Sequence, residues 1–341
     1  MLPARWPPIE PFATESLDVG EGHILHLEQC GSRDGRPLLL LHGGPGAGFT
    51  SAQRRLFDPS RYRTILFDQR GCARSRPRGE IRANDTWRLV SDIERIRAHL
   101  GIDRWIVYGG SWGTSLALAW AAAHPEACVA LILRAVFMAN DDDLDWFFGG
   151  AGTLLPDAWQ RLTTRLGLDL DSTRAGTGLK VLGRLASAML DDPAPAGVAA
   201  GSAAAAWADW EAAVSRPGLT PAPGAEASGR VDAAGQAAAD PGTDARESLI
   251  DAYRIQAHYL RHRCFLAESA MLDAARSLEG VETHILHGRL DWVCRPLNAA
   301  RLAASLPVAQ LHWAERAAHS QFDEAMLRAL DDALRAIERR G

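Results

Sequence analysis

The sequence predicts an α/β fold: a mostly parallel central sheet with helices on both faces, interrupted by an inserted helical segment. Three observations carry this expectation. Short apolar runs recur along the first half, at Leu38-Leu39-Leu40-Leu41, Thr64-Ile65-Leu66-Phe67, Trp105-Ile106-Val107 and Val129 to Leu133. Such runs mark strands covered on both faces, and strands alternating with helices give a parallel sheet. Second, Trp105-Ile106-Val107 leads into Tyr108-Gly109-Gly110-Ser111-Trp112-Gly113-Thr114, a G-x-S-x-G pattern, and then into an alanine- and leucine-rich run reaching His124. Third, strand signal fades from about residue 141 to 268. It returns at Thr283-His284-Ile285-Leu286 and Gln310-Leu311-His312-Trp313.

In chain order, His23 to Glu28 alternates apolar and polar residues, which predicts an edge strand. Leu38 to Leu41 ends in His42-Gly43-Gly44-Pro45-Gly46, where backbone can approach a ligand closely. The next strand ends at Asp68-Gln69-Arg70-Gly71. Helical spacing over Ser91 to Leu100 predicts a helix with Ser91 as its cap and Gly101 as its stop. The G-x-S-x-G stretch then has the strand, sharp turn and helix of a nucleophile elbow. Within the insertion lie Asp145-Trp146-Phe147-Phe148 and Trp207-Ala208-Asp209-Trp210-Glu211. Pro217 to Arg246 is rich in Ala, Gly and Pro and reads as a mobile loop. Ser320 to Arg340 closes the chain as an amphipathic helix. The expected division is a core over residues 1–140, a helical cap over 141–268 and the rest of the core over 269–341.

Composition bounds the function. The 341 residues can bury a large core, and 47% apolar with 23% charged residues is ordinary for a globular protein. A net charge of −5 points to neither nucleic acid nor an anionic membrane. Five scattered cysteines (Cys30, Cys72, Cys128, Cys264 and Cys294) form no C-x-x-C pair, which favours reduced thiols in a cytoplasmic setting. Prolines crowd the amino terminus where a signal peptide needs an apolar helix, and no apolar run approaches the ~20 residues of a membrane span. The expectation is a soluble cytoplasmic protein without cofactor or metal; its oligomeric state is open.

A serine hydroxyl needs a base, and the base an orienting acid. Downstream of Ser111, Leu286-His287-Gly288-Arg289-Leu290-Asp291 places an acid after one strand, and Ala317-Ala318-His319-Ser320 a histidine after the next. The expected roles are Ser111 nucleophile, His319 general base then acid, and Asp291 orienter. The oxyanion hole is expected from the Trp112 backbone N–H and from Gly44, with Gly43 the close alternative. Asp68 reads as bracing its own turn, His42 as buttressing the glycine loop and Cys294 as a packed thiol. His258 and His262 have the i, i+4 spacing of a zinc pair, yet neither a third ligand nor an H-E-x-x-H glutamate accompanies them. His284 and His287 make a poor metal pair, being of different facing.

The set His42-Gly43-Gly44-Pro45-Gly46, Asp68-Gln69-Arg70-Gly71, Gly109-Gly110-Ser111-Trp112-Gly113 and His287-Gly288-Arg289-Leu290-Asp291 resembles the proline iminopeptidases (prolyl aminopeptidases) of the α/β-hydrolase fold. The resemblance runs from about residue 5 to the end, apart from 217–246. It implies release of an amino-terminal proline from a peptide or small molecule, with acidic cap residues holding the free amine. Trp207-Ala208-Asp209-Trp210-Glu211 is similar to the family's W-x-x-W-E, so Glu211 matches one such acid. The second is expected in R-I-E-x-H-Y, which here reads Arg254-Ile255-Gln256-Ala257-His258-Tyr259, an amide in place of the carboxylate. Asp209 and Glu268 are the acids considered as substitutes, though the sequence does not place either at the site. Ala73 and Ala317 stand where the family commonly has glycine. A proline ring wants an aromatic slot, for which Phe137, Trp146, Phe147, Trp207 and Trp210 are available, and Arg134 follows a core strand toward the pocket. The alternative left by Gln256 is a hydrolase of the same fold acting on an ester, lactone or amide of a specialised metabolite. A binding protein on a dead scaffold is the third reading, which the complete Ser111, Asp291 and His319 set disfavours.

Overall fold

A computed structural model of the chain describes residues 6–193, 197–216 and 243–340. Eight strands form one sheet: β1 (Ala13–Asp18), β2 (Ile24–Gly31), β3 (Arg36–Leu41), β4 (Tyr62–Phe67), β5 (Trp105–Gly110), β6 (Cys128–Arg134), β7 (Glu282–Gly288) and β8 (Ala309–Ala314). Their spatial order is β1-β2-β4-β3-β5-β6-β7-β8. The β1–β2 and β2–β4 pairs are antiparallel, and every pair from β4 to β8 is parallel.

Strand pleat sorts the apolar runs into two cores. Leu39, Leu41, Ile65, Phe67, Val107 and Leu131 face one side. Their neighbours Leu38, Leu40, Leu66, Ile106 and Ile132 face the other. The first side is covered by α1 (Thr86–His99) and α2 (Trp112–Ala123), with α9 (Pro296–Ser305) contributing Leu302. The second is covered by α10 (Glu324–Arg340) through Met326, Leu330, Ala333, Leu334 and Ile337. Between β6 and β7 come α3 (Asp141–Phe148), α4 (Pro156–Arg165), α5 (Thr177–Leu190), α6 (Ala200–Ser215), α7 (Thr243–Arg261) and α8 (Ala270–Ser277).

Three expectations need correction. The edge strand is β1, and the segment starting at His23 yields β2, which sits second with a partner on each side. The polar Thr14, Glu15, Ser16 and Asp18 hide β1 from a reading based on apolar runs. Helix α1 begins earlier than Ser91: the Asp85 carboxylate caps it by accepting the Arg88 N–H at 3.0 Å, while the Ser91 hydroxyl back-bonds to Trp87 O at 3.1 Å. Of the stretch read as a mobile loop, residues 217–242 lie outside the described residues, and 243–246 form the first turn of α7.

Side chains join the inserted helices to one another and to the core. The Asp145 carboxylate accepts the N–H groups of Gly176 and Gly178, both at 2.8 Å, and so caps the start of α5 from within α3. Rings of Phe148 and Trp207 meet edge to face at 5.1 Å, and Trp207 meets Tyr253 at 5.2 Å, tying α3, α6 and α7 together. The Tyr259 hydroxyl and His258 Nε2 reach Asn84 Oδ1 and O at 2.8 and 2.9 Å.

After β4, Arg70 is buried and grips Asp92 of α1 through Nε (2.6 Å) and Nη2 (2.8 Å), with further bonds to Glu21 and Ala83 O. Removing one charge of a buried pair strands the other in a medium that solvates it poorly. Asp92→Asn is therefore expected to lower unfolding free energy by about 3 kcal/mol, read as a lower urea midpoint with unchanged slope.

Candidate active site

The elbow is built by sequence-imposed close approach. A Cβ on Gly113 would lie 2.2 Å from Leu41 O, so only glycine lets the start of α2 press against the end of β3. Ser111 sits at φ 55°, ψ −123°, a strained backbone held by the Ser111 N–H bond to Arg134 O at 2.9 Å. The turn projects the hydroxyl beyond the carboxyl ends of the parallel strands, and α2 begins directly behind it.

His42, Gln69 and Trp112 lock the glycine loop to the elbow. His42 Nε2 accepts the Gln69 N–H at 3.1 Å, so Nδ1 carries the proton and donates to Gly43 O at 2.9 Å. Burial pushes the His42 imidazole below its ordinary range, which keeps this neutral form. Gln69 then donates to His42 O at 3.0 Å and accepts the Trp112 indole N–H at 2.9 Å. Asp68 braces its turn through the Arg74 N–H at 3.0 Å, and also holds the far end of the glycine loop through the Phe49 N–H at 2.9 Å. Gly44 has φ +114°, a conformation L side chains rarely adopt. The Gly43 and Gly44 N–H groups have no protein acceptor among the described residues. Trp112, first in α2, has no intrahelical acceptor for its N–H.

Asp291 follows β7 and is fully buried. Its Oδ1 accepts the N–H groups of Val293 (3.0 Å) and Cys294 (2.9 Å), and Oδ2 accepts from His319 Nδ1 at 2.9 Å. Burial works to raise the carboxyl pKa, but the charge and hydrogen bond of His319 outweigh it and hold it below the usual range. His319, after β8, is half-buried, and its carbonyl accepts from Arg134 Nη1 at 2.7 Å. Ser111 and His319 line one cavity of about 340 Å³ without a hydrogen bond between them; the Ser111 hydroxyl instead meets Cys294 Sγ at 3.9 Å. Cys294 is thus more than a packed thiol, since it walls the nucleophile. Burial, with Asp291 adding to it, drives its pKa far up, so it stays a neutral thiol.

His287 is a structural pin: Nδ1 accepts the Val136 N–H at 3.2 Å and Nε2 donates to Cys294 O at 2.9 Å. His284 meets His312 at 3.1 Å, and His262 Nδ1 meets His258 O at 2.8 Å. No group of three or more metal-type ligands occurs among the described residues.

Of the expected substrate contacts, Phe137, Arg134, Glu211 and Gln256 line the cavity, as do Phe147, Gly43 and Gly44. Trp210 does not. It is buried, its indole N–H donates to Phe147 O at 2.9 Å, and its ring packs on Phe147. Trp146 and Trp207 also stay off the cavity: the first donates to Trp292 O, and the second packs among Phe148 and Tyr253. Neither proposed substitute acid is there either, because Asp209 pairs with Arg165 on the surface and Glu268 is exposed away from the cavity. Sequence reasoning missed Tyr253, whose hydroxyl donates to Glu211 Oε2 at 3.2 Å; its i, i+3 spacing from Gln256 on α7 was the available signal. It also missed Leu144, Leu260, Val293 and Arg216 on the cavity wall.

An elbow serine at the carboxyl end of a parallel sheet, with an acid and a histidine on the two following strand ends, defines a serine hydrolase architecture. The family model described as "alpha/beta hydrolase fold" matches residues 36–325, and the chain belongs to that family. It is 39% identical to a proline iminopeptidase of Xanthomonas citri, over 96% of this chain and 98% of the relative. It is 36% identical to a probable proline iminopeptidase of Leptolyngbya boryana, over 96% of this chain and 95% of the relative. Within the α/β hydrolases, the chain is a member of the proline iminopeptidase family. Among solved structures, the proline iminopeptidase of Mycobacterium smegmatis shares the fold, with a TM-score of 0.58, 16% identity and coverage of 96% of this chain and 98% of that one. No helix among the described residues is long and apolar enough to cross a membrane.

Proposed function

We propose that this protein is a serine aminopeptidase that releases amino-terminal proline from peptides through an acyl-enzyme on Ser111. The observation that carries the reading is one cavity lined by Ser111, by His319 on its buried Asp291, and by the Glu211 carboxylate. His319 Nε2 takes the Ser111 proton as the hydroxyl attacks the prolyl carbonyl. Catalytic hydrogen bonds that are loose in a free enzyme tighten with substrate, and a turn about the serine side chain exchanges the Cys294 contact for the imidazole. The N–H groups of Trp112 and of Gly44 or Gly43 receive the oxyanion. His319 then protonates the leaving amine, and water hydrolyses the prolyl ester. Residues 141–268 serve as the cap that closes the site. Glu211 holds the free amine, Gln256 accepts from it through its amide oxygen, and Phe137 and Phe147 flank the ring.

The test compares kcat/KM for a prolyl anilide, its N-acetyl form and a simple acyl ester. Masking the amine removes a charge that Glu211 meets in a partly dry site, so the free substrate is expected to win by roughly 30-fold or more. Equal rates on free and blocked proline would overturn the reading in favour of a general esterase or amidase.

Gln256 Nε2 lies 3.5 Å from Glu211 Oε2. In Gln256→Glu a second carboxylate would stand at that distance, so the free site would share a proton in acid and be doubly charged in base. The expected result is a several-fold lower KM for the prolyl anilide near neutral pH, a gain that shrinks toward pH ~5 as the carboxylate pair takes up a proton and again in base as the substrate amine loses its charge, with kcat little changed.

A further inference from the structure

Among the described residues, the charges around this cavity do not balance. Glu211 is its one lining carboxylate among the described residues, against two guanidinium groups, Arg134 and Arg216. Arg134 is committed within the protein: it is buried, donates to His319 O at 2.7 Å, and its Nε has no partner. It forms no ion pair among the described residues, so its charge lends positive potential to the floor. Arg216 differs in being exposed at the carboxyl end of α6, likewise without an acidic partner among the described residues. A helix carboxyl terminus suits a cation in any case, but that does not require the side chain to border the cavity.

Arg216 follows the last residue of α6, five positions beyond Glu211 in the sequence. Glu211 and Arg216 line one cavity with Ser111, and its volume of about 340 Å³ is at the small end for ligand sites, which suits a short peptide.

We propose that Arg216 binds the terminal carboxylate of the substrate, so that short peptides beginning with proline and ending in a free carboxylate are preferred over their neutral counterparts. This rests on the aminopeptidase reading, with the free amine at Glu211 and the scissile carbonyl at Ser111. Arg216 is then a specificity-determining residue on the leaving-group side. A guanidinium meets a carboxylate with two parallel N–H donors, whereas a terminal amide offers one neutral acceptor.

The experiment measures kcat/KM of wild type, Arg216→Gln and Arg216→Glu on Pro-Ala, Pro-Ala amide and prolyl anilide. Wild type is expected to prefer Pro-Ala over its amide by about tenfold, mainly through KM. Arg216→Gln should bring that ratio near one, and Arg216→Glu should invert it. A wild-type ratio near one, or a preference that persists in Arg216→Gln, would overturn the proposal. Absence of prolyl anilide turnover in wild type would instead count against the aminopeptidase reading. The residue is exposed, and circular dichroism of the variants checks their folding.

Discussion

Ser111→Ala and His319→Ala should each lower kcat on a prolyl anilide by about 10⁴–10⁶-fold, and the double variant should lose no more than the worse single one. The reason for that non-additivity is chemical. Without the imidazole the hydroxyl keeps its proton, and without the hydroxyl the imidazole has nothing to deprotonate. Folding should survive both changes. The Ser111 hydroxyl makes only a long contact to Cys294, so its loss removes little, and the strained φ of 55° is the same problem for alanine as for serine. His319→Ala leaves Asp291 with the N–H groups of Val293 and Cys294, and space through which water can reach its other oxygen. A stability loss of about 1–2 kcal/mol is expected there. Steady-state kinetics together with thermal melts separate the two effects: a variant that loses activity only in proportion to its unfolded fraction would contradict a catalytic role.

Asp291→Asn should cost about 10⁴-fold in kcat, although the replacement has nearly the same shape. The surroundings dictate how the amide sits. Oδ1 must go on facing the two backbone N–H groups, which donate at 2.9 and 3.0 Å. The amide NH₂ then replaces the oxygen that now lies 2.9 Å from His319 Nδ1. Facing a donor, Nδ1 has to become the acceptor, so the proton moves to Nε2, the atom needed to receive the serine proton. The native carboxyl, held below its ordinary range by His319, resists this failure in mild acid. Its favourable pairing is present above the unfolded carboxyl value near 4 and is lost only as pH falls through the depressed folded value. A kcat for Asp291→Asn within about tenfold of wild type would remove Asp291 from the catalytic unit.

Much of this arrangement could be read from residues. Leu38 to Leu41 and Thr64 to Phe67 are apolar because both faces of their strands are covered, and Gly109, Ser111 and Gly113 recur at the spacing a tight strand-to-helix turn requires. Asp291 and His319 stood out as candidates because they follow strand ends downstream of Ser111 in the order acid then histidine, whereas His42 and Asp68 precede it. What escaped notice depends on facing rather than on residue type. Strand β1 presents polar side chains because it is an edge, and α1 starts earlier than its apolar positions suggest, since Asp85 sets the first turn. Helix α6 is so rich in alanine that its sequence does not say which side meets the cavity. Trp210 consequently looked as available to a substrate as Phe147, yet it lies behind that ring. Arg216 gave no signal of its own in the sequence, because only the fold brings it to the cavity that Ser111 and Glu211 line.

The most direct test treats wild type and His319→Ala with a fluorophosphonate and locates the adduct by peptide mass spectrometry. The expected result is stoichiometric phosphonylation of Ser111 in wild type and at least a ~100-fold slower reaction in His319→Ala. Labelling elsewhere, or labelling of Ser111 at the same rate without the imidazole, would show that residues 111, 291 and 319 do not act as one proton-transferring unit.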